Sequence, residues 1–229
     1  METPEDLKRY SRVLAVPEIG AEGQARISAG SVLMVGAGAL GSIVGLYLAG
    51  AGVGRIRVVD PDVVDVTNLH RQVAYAEELC AQPKAPLLAR RMHMLNSTIT
   101  VDAVQSLVNA HNFDELSQGY DLIADCTDNP LTKQLLSALS LKAGKMCVTG
   151  GVDALTAQVF VTRPHGPAYA DVFGQVPAQS PRAVVGVLGP VAGVAASLQT
   201  SAILLHLAGT ANPATLVTLN VLTNKLTSF

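Results

Sequence analysis

The sequence predicts an α/β fold with a mainly parallel β-sheet, antiparallel strands on its C-terminal side and a helical extension at its N-terminus. A β-branched strand at 32–35 runs into Gly36, Gly38 and Gly41, which have GxGxxG spacing. An apolar helical run follows, and then a second strand that ends at Asp60. Two strands, a glycine turn and a closing acid are typical of a Rossmann-like nucleotide-binding unit, in which the acid accepts hydrogen bonds from ribose hydroxyls.

The composition indicates one globular domain with a full hydrophobic core. Of the 229 residues, 49% are hydrophobic and 15% are charged, and the formal net charge is -2. The few, scattered basic residues argue against a nucleic-acid surface. Cys80, Cys126 and Cys147 form no CxxC pair, and the first residues contain no apolar signal segment. We therefore expect a cytoplasmic protein with reduced thiols.

Two helices are predicted before the first strand. Thr3 and Asp6 resemble a capping box, which predicts a helix over Pro4–Arg12. A second helix over 18–29 would end at Gly30.

Segment 61–68 predicts a loop at the C-terminal edge of the sheet, where open α/β sheets bind ligands. Asn68 and Arg71 lie on or next to this loop, and Lys84 lies near the N-terminus of a predicted helix at 83–96, with its proline in the first turn. These groups would converge on a phosphate or form surface salt bridges, and both alternatives stay open.

Two acids follow the apolar strand predicted at 122–124. Asp128 lies beyond the strand end and would face a nucleotide, where Mg²⁺ prefers one or two carboxylates plus phosphates. Asp125 would serve the same site or hold the turn. The other elements predicted in this part are a strand at 99–104, helices at 111–117 and 131–143, and a strand at 145–149.

The C-terminal part predicts antiparallel pairing. A strand at 154–162 follows its predecessor too closely for a crossover helix, so the two must pair antiparallel. Residues 163–182 lack periodicity and predict a mobile crossover loop. Segments at 215–219 and 222–228, broken at Asn220, predict a closing hairpin.

A long uncharged segment lies between the loop and the hairpin. No Asp, Glu, Lys or Arg occurs between Arg182 and Lys225, and 184–209 is long enough to span a membrane. Its internal Gly, Pro and polar residues, without a flanking basic cluster, favour a buried core or subunit-interface helix. We therefore expect no membrane partner.

Several motifs together carry a family resemblance. They are RYSR at 9–12, VGAGALG at 35–41, AGAGVGRIRVVDPD at 49–62, TNLHRQ at 67–72, QPK at 82–84, DCTDN at 125–129 and VLGPVAGV at 187–194. The chain resembles the MoeB/ThiF/HesA adenylyltransferases, which activate ubiquitin-like sulfur-carrier proteins and are related to ubiquitin-activating enzymes. This resemblance implies one adenylation domain over 1–229, comprising helices at 1–30, nucleotide-binding βα units at 31–150, a crossover loop at 163–182 and an apolar helix with closing strands at 184–229.

The resemblance also implies the site residues. The nucleotide-binding set is Gly36, Gly38, Ala39, Leu40, Gly41, Asp60, Asn68, Arg71, Lys84, Asp128 and Asn129. Asp60 would hold the ribose of ATP, Asn68, Arg71 and Lys84 the phosphates, and Asp128 the Mg²⁺. Arg71, Lys84 and Asp128 would also be catalytic, together with Arg12, which would reach the site of a neighbouring subunit in a homodimer.

The implied reaction is attack of a carrier's C-terminal Gly-Gly carboxylate on the α-phosphate, which yields an acyl-adenylate and pyrophosphate. A carboxylate is already a nucleophile at neutral pH, so the barrier is charge repulsion, which cations and Mg²⁺ offset.

The chain departs from this family where cysteines are expected. Residues 168–171 replace the first CxxC pair of a structural zinc site, so no zinc is expected. The loop at 163–182 has no cysteine, and Arg182 stands where many members carry one, so a covalent step there is unsupported.

Two other functions are compatible with the glycine turn. An NAD-dependent oxidoreductase uses the same unit, and a degenerate fold would bind a ubiquitin-like protein without catalysis. The retained charged residues favour adenylylation. The pathway, thiamin or molybdopterin biosynthesis, and a peptide substrate remain open.

Overall fold

The computed structural model describes residues 8–177, 186–210 and 214–229. Within them the strands form an eight-stranded sheet of order β3-β2-β1-β4-β5-β6-β7-β8. The strands are β1 (Ser31–Val35), β2 (Arg55–Val59), β3 (Thr100–Val104), β4 (Leu122–Asp125), β5 (Met146–Asp153), β6 (Thr156–Thr162), β7 (Leu216–Asn220) and β8 (Lys225–Ser228). The pairs among β1–β5 are parallel and those from β5 to β8 are antiparallel. The predicted α/β class and the antiparallel C-terminal side are confirmed.

Helices cover both faces of the parallel part of this sheet. They are α1 (Ser11–Leu14), α2 (Gly20–Ala29), α3 (Ala39–Ala51), α4 (Lys84–Leu95), α5 (Phe113–Ser117), α6 (Pro130–Lys142), α7 (Tyr169–Phe173) and α8 (Gly189–Leu207), with 3-10 turns at Val66–Asn68 and Glu77–Leu79. Every residue of β1 and β4 is buried. Strands covered on both faces are continuously apolar rather than alternating, and the sequence predicts both strands from these apolar runs.

The core has two layers, one on each face of the sheet. The first joins β1, β2 and β4 to α3, α4 and α8 through residues such as Met34, Val44, Leu48, Leu88 and Ile203. The second joins the other face to α5 and α6 through Leu33, Phe113, Tyr120, Ile123 and Leu136. The ends of β1, β2 and β4 are thereby fixed side by side at one edge.

The helix predicted over Pro4–Arg12 is only partly correct. Its first residues lie outside the described part of the chain, and Tyr10 forms a turn that separates helical Lys8 and Arg9 from α1. The Tyr10 hydroxyl accepts a hydrogen bond from Asn96 Nδ2 at 2.9 Å and leaves no room for a side chain at Gly52. This aromatic anchor, rather than helix propensity, determines the path of the segment.

The loop predicted over 163–182 is wrong at α7, and its residues after 177 lie outside the described part. The Tyr169 and Phe173 rings stack at 4.4 Å, and each meets Phe160 edge-on. Aromatic residues four apart share one helix face, so this pair was an available signal for a short helix.

Helix α8 occupies the segment for which membrane and core alternatives were open. Within the described residues it is the one helix that is long and apolar enough to cross a membrane, by length and composition alone. Eight of its nineteen residues are buried in the structure. Buried Gln199 donates to the carbonyl oxygens of Asp125 and Val148 at 2.9 and 2.8 Å, which fastens α8 to β4 and β5 as a core helix.

Candidate nucleotide-binding site

The glycine turn between β1 and α3 requires glycine at two positions. Gly36 has φ +96°, and a Cβ there would lie 2.8 Å from the Cys126 carbonyl oxygen. A Cβ at Gly41 would lie only 1.9 Å from the Gly36 carbonyl oxygen. The turn therefore packs directly against both α3 and the segment that follows β4.

The first turn of α3 is a potential anion site. Gly38 is its N-cap and supplies no side-chain hydrogen bond, so no side chain caps the first N–H groups, among them those of Ala39 and Leu40. Such N–H groups, together with the positive end of the helix dipole, favour a phosphate.

Asp60 fastens this turn to the end of β2. Its Oδ2 accepts from the Ala37 N–H at 2.6 Å and its Oδ1 from the Asp62 N–H at 2.8 Å. The residue is 5% exposed, and burial raises the pKa of its carboxyl group although the two N–H donors oppose the shift. Each oxygen keeps a second lone pair, so the carboxylate still has the capacity to accept from ribose hydroxyls.

Asn68 and Arg71 contact each other on the loop that follows β2. Arg71 Nη2 donates to Asn68 Oδ1 at 2.7 Å, and both residues are half-buried. The start of α8 closes over this loop, since a Cβ at Gly189 would lie 2.7 Å from the His70 carbonyl oxygen. The Arg71 guanidinium is thus held on a loop supported by the N-terminus of α8.

Lys84 is the first residue of α4, with Pro83 as the N-cap rather than in the first turn. Its side chain is 5% exposed, and Nζ lies 3.2 Å from Asp62 Oδ2. A cation at a helix N-terminus opposes the helix dipole, and the Asp62 carboxylate offsets this cost. The Tyr75 hydroxyl donates to the Ala37 carbonyl oxygen at 2.7 Å and lies 3.5 Å from that of Lys84, which joins α4 to the glycine turn.

The acids after β4 have different roles. Asp125 is fully buried, and its Oδ1 accepts from the Thr127 N–H and hydroxyl at 3.0 and 2.7 Å, so it holds the turn, which was the second alternative. Asp128 is exposed beyond the strand end. Asn129 Oδ1 accepts from the Leu131 N–H at 3.0 Å as the N-cap of α6, which leaves its amide donors for a nucleotide.

The residues at this edge of the sheet could hold Mg²⁺ only together with a bound nucleotide. Within the described chain, no three His, Cys, Asp or Glu side chains cluster closely enough to hold a metal. Mg²⁺ commonly binds through one or two carboxylates plus substrate phosphates, so Asp128 fits the ion when a nucleotide supplies the other ligands.

Arg12 is not brought to the site of its own chain. It is exposed on α1, in a segment that Tyr10 anchors near the C-terminal ends of α3 and α4. Both helices begin at the site, and the thirteen residues of α3 span about 20 Å. Arg12 therefore lies far from the glycine turn of its own chain.

Sequence reasoning assigned no role to Gln72 or Tyr75, which both line the glycine turn. Gln72 is 4% exposed, lies against Gly38, and its Oε1 has no hydrogen-bond partner in the structure. Its place in the TNLHRQ motif was the available signal, whereas an isolated tyrosine in a loop carries none. Cys126 is buried, and burial raises the pKa of its thiol, which is typical of a cysteine that packs in the core rather than of a nucleophile.

Residues 10–229 match the ThiF family model. The chain belongs to the ThiF family. Over 203 residues, the chain is 39% identical to the sulfur carrier protein adenylyltransferase of Thermus thermophilus. The match covers 83% of this chain and 75% of the relative. The chain is 38% identical over 209 residues to the adenylyltransferase and sulfurtransferase MOCS3 of Xenopus laevis, covering 88% of this chain and 46% of the relative. The resemblance drawn from the motifs is thereby confirmed.

The chain spans less than half the length of the MOCS3 relatives that it matches. In fold it matches E. coli MccB, solved with MccA-N7isoASN, at a TM-score of 0.87 and 20% identity over 100% of this chain and 72% of MccB. This similarity confirms the Rossmann-like architecture. Both of these curated relatives are named adenylyltransferases.

Proposed function

We propose that this chain adenylylates the C-terminal glycine carboxylate of a ubiquitin-like sulfur-carrier protein, consuming ATP with Mg²⁺ and releasing pyrophosphate. The observation that carries the proposal is the connected set of contacts joining the glycine turn to Asp60 and Lys84. This set occurs in a chain 39% identical to a protein named sulfur carrier protein adenylyltransferase.

The residue roles follow from the chemistry of each group. Asp60 would accept from ribose hydroxyls, and the N-terminus of α3 would bind a phosphate. Arg71 and Lys84 would offset phosphate charge, and Lys84 would exchange its exposed partner Asp62 for a phosphate oxygen. Mg²⁺ bound by Asp128 would neutralise further phosphate charge. The incoming carboxylate is already ionised, so these groups only need to position it and reduce repulsion.

The assembly and compartment are part of the proposal. Arg12 would act in the site of the second subunit of a homodimer, because its own site is about 20 Å away by the length of α3. A cytoplasmic carrier ending in Gly-Gly is the expected partner, and no zinc is expected to take part.

The test is exchange of labelled pyrophosphate into ATP, measured with and without a carrier protein ending in Gly-Gly. We expect exchange that requires both Mg²⁺ and the carrier, and that is lost when the two glycines are removed. NADH binding without ATP binding would instead indicate an oxidoreductase. ATP binding without exchange for any carrier would indicate a non-catalytic binding module.

A lysine pair provides a matched control for this assay. Lys84→Met removes a cation from the site and leaves only the exposed Asp62 without its partner, so we expect exchange to fall about 100-fold to 1,000-fold with little change in stability. Lys142→Met changes an exposed lysine in the last turn of α6 and should leave exchange unchanged.

A further inference from the structure

A buried ion pair lies beneath the segment that carries Asp128. Lys133 projects from α6 with its side chain 7% exposed, and Asp125 at the end of β4 is fully buried. Their charged atoms, Nζ and Oδ1, are 3.9 Å apart. Neither residue belongs to the nucleotide-binding set predicted from the sequence.

The Lys133 ammonium group donates its hydrogen bonds to backbone carbonyl oxygens. Its Nζ donates to the carbonyl oxygens of Thr127 and Gly150, the latter at 2.6 Å. Two of the three ammonium N–H groups are thereby used, and Asp125 acts as the counter-ion at 3.9 Å rather than as a hydrogen-bond acceptor. Lys133 thus ties the segment after β4 to β5.

Thr127 is held from both of its ends. Its N–H and hydroxyl donate to Asp125 Oδ1 at 3.0 and 2.7 Å, while its carbonyl oxygen accepts from Lys133. The next residue is Asp128. The ion pair therefore fixes the backbone directly before Asp128, the residue proposed to hold Mg²⁺.

Packing alone does not explain a charged pair in this position. Burying an ion pair is often no more stabilising than an apolar pair of the same volume, and its best-attested use is to fix one geometry. Here the geometry that is fixed is that of the Thr127–Asp128 backbone, because both charges are hydrogen-bonded to Thr127.

We propose that Lys133, acting with Asp125, is a positioning residue that orients the Asp128 carboxylate toward the metal ion of a bound metal–ATP complex. This inference rests on the proposed function, since it takes ATP and a divalent cation as ligands. Groups that orient metal ligands typically contribute 10-fold to 100-fold to metal affinity.

The test measures Mn²⁺ binding by electron paramagnetic resonance in the presence of saturating ATP, together with ATP affinity measured in EDTA. In Lys133→Met we expect the dissociation constant for Mn²⁺ to rise about 10-fold to 100-fold, with ATP affinity in EDTA unchanged. A purely structural role would weaken both. Leu136→Ala is the matched control, because Leu136 is fully buried one turn along α6 and belongs to the second core layer. It should lower the melting temperature and leave Mn²⁺ affinity unchanged.

A second variant covers the case in which Lys133→Met does not fold. Thr127→Val keeps the ion pair and removes only the hydroxyl bond to Asp125, and it should raise the Mn²⁺ dissociation constant in the same direction by a smaller factor. Unchanged Mn²⁺ affinity in the folded variants would overturn the positioning role. A wild-type protein that binds no metal–ATP complex would overturn the proposed function instead.

Discussion

Replacing Gly41 by alanine should damage both the fold and the nucleotide site. The added Cβ would lie 1.9 Å from the Gly36 carbonyl oxygen and 2.8 Å from its carbonyl carbon. A C···O contact normally needs about 3.3 Å, so the start of α3 and the glycine turn would separate by about 1.4 Å. Both clashing atoms are backbone, so no side-chain rotation relieves the contact.

The expected cost is at the upper end for overpacking, about 3 kcal/mol. For a chain of this size that corresponds to a fall of about 6–12 °C in melting temperature. A displacement of this size at the glycine turn, where we propose that phosphate binds, should also reduce pyrophosphate exchange by about 100-fold. Thermal unfolding followed by circular dichroism and the exchange assay measure the two effects separately.

The same helix supplies the control. Gly50 is exposed in α3, and a Cβ there would have its nearest neighbour, Leu95 Cδ2, at 3.7 Å, an ordinary contact. Gly50→Ala should gain about 1 kcal/mol from helix propensity and melt about 2–4 °C higher, with exchange unchanged. If Gly41→Ala melted at the same temperature as Gly50→Ala, the close approach of α3 to the glycine turn would be refuted.

Two further predictions concern the proposed homodimer and the dependence of stability on pH. The Arg12→Ala and Asp128→Ala variants should each be inactive. When they are mixed in equal amounts and their subunits exchange fully, about a quarter of the wild-type rate of pyrophosphate exchange should return, because half of the dimers then carry one intact site. No recovery despite proven subunit exchange would contradict a shared site. Burial raises the pKa of Asp60 above its ordinary value of 3.8, so the native state holds this proton more tightly than the unfolded state. The free energy of unfolding of the wild type, relative to that of Asp60→Asn, should therefore fall as pH rises from 3.8 through the raised pKa and stay constant above it. Urea unfolding at a series of pH values measures this difference between the two proteins. A difference that grows with pH would contradict a raised pKa for Asp60.

Local patterns were sufficient to predict most of the sheet. The buried strands β1 and β4 are short apolar runs bounded by turn residues, and the spacing of β5 and β6 forces antiparallel pairing. Prediction failed where a tertiary contact overrides the local pattern. Tyr10 breaks its helix because its hydroxyl reaches Asn96, a partner 86 residues away.

The candidate site was predicted unevenly for a similar reason. Residues that would touch a ligand stand in recognisable motifs. The structure joins Asn68 to Arg71, and the Tyr75 hydroxyl links the Lys84 backbone to the glycine turn. Residues that support them carry no such pattern, because their role depends on which elements pack together. Lys133 is an example, since its partners come from β4, the following turn and β5.

The contacts of Asp60 determine how variants of this site should be interpreted. Its carboxylate accepts hydrogen bonds from the N–H groups of Ala37 and Asp62, so one side chain would serve both the ribose and the backbone turn proposed to bind phosphate. An asparagine has only one carbonyl oxygen and would leave one of these N–H groups facing an amide donor. Loss of ATP binding in Asp60→Asn would therefore combine a missing ribose contact with a displaced turn. A Lys84 variant would report on phosphate binding alone, because the Asp62 partner of Lys84 is 67% exposed and the glycine turn does not depend on that ion pair.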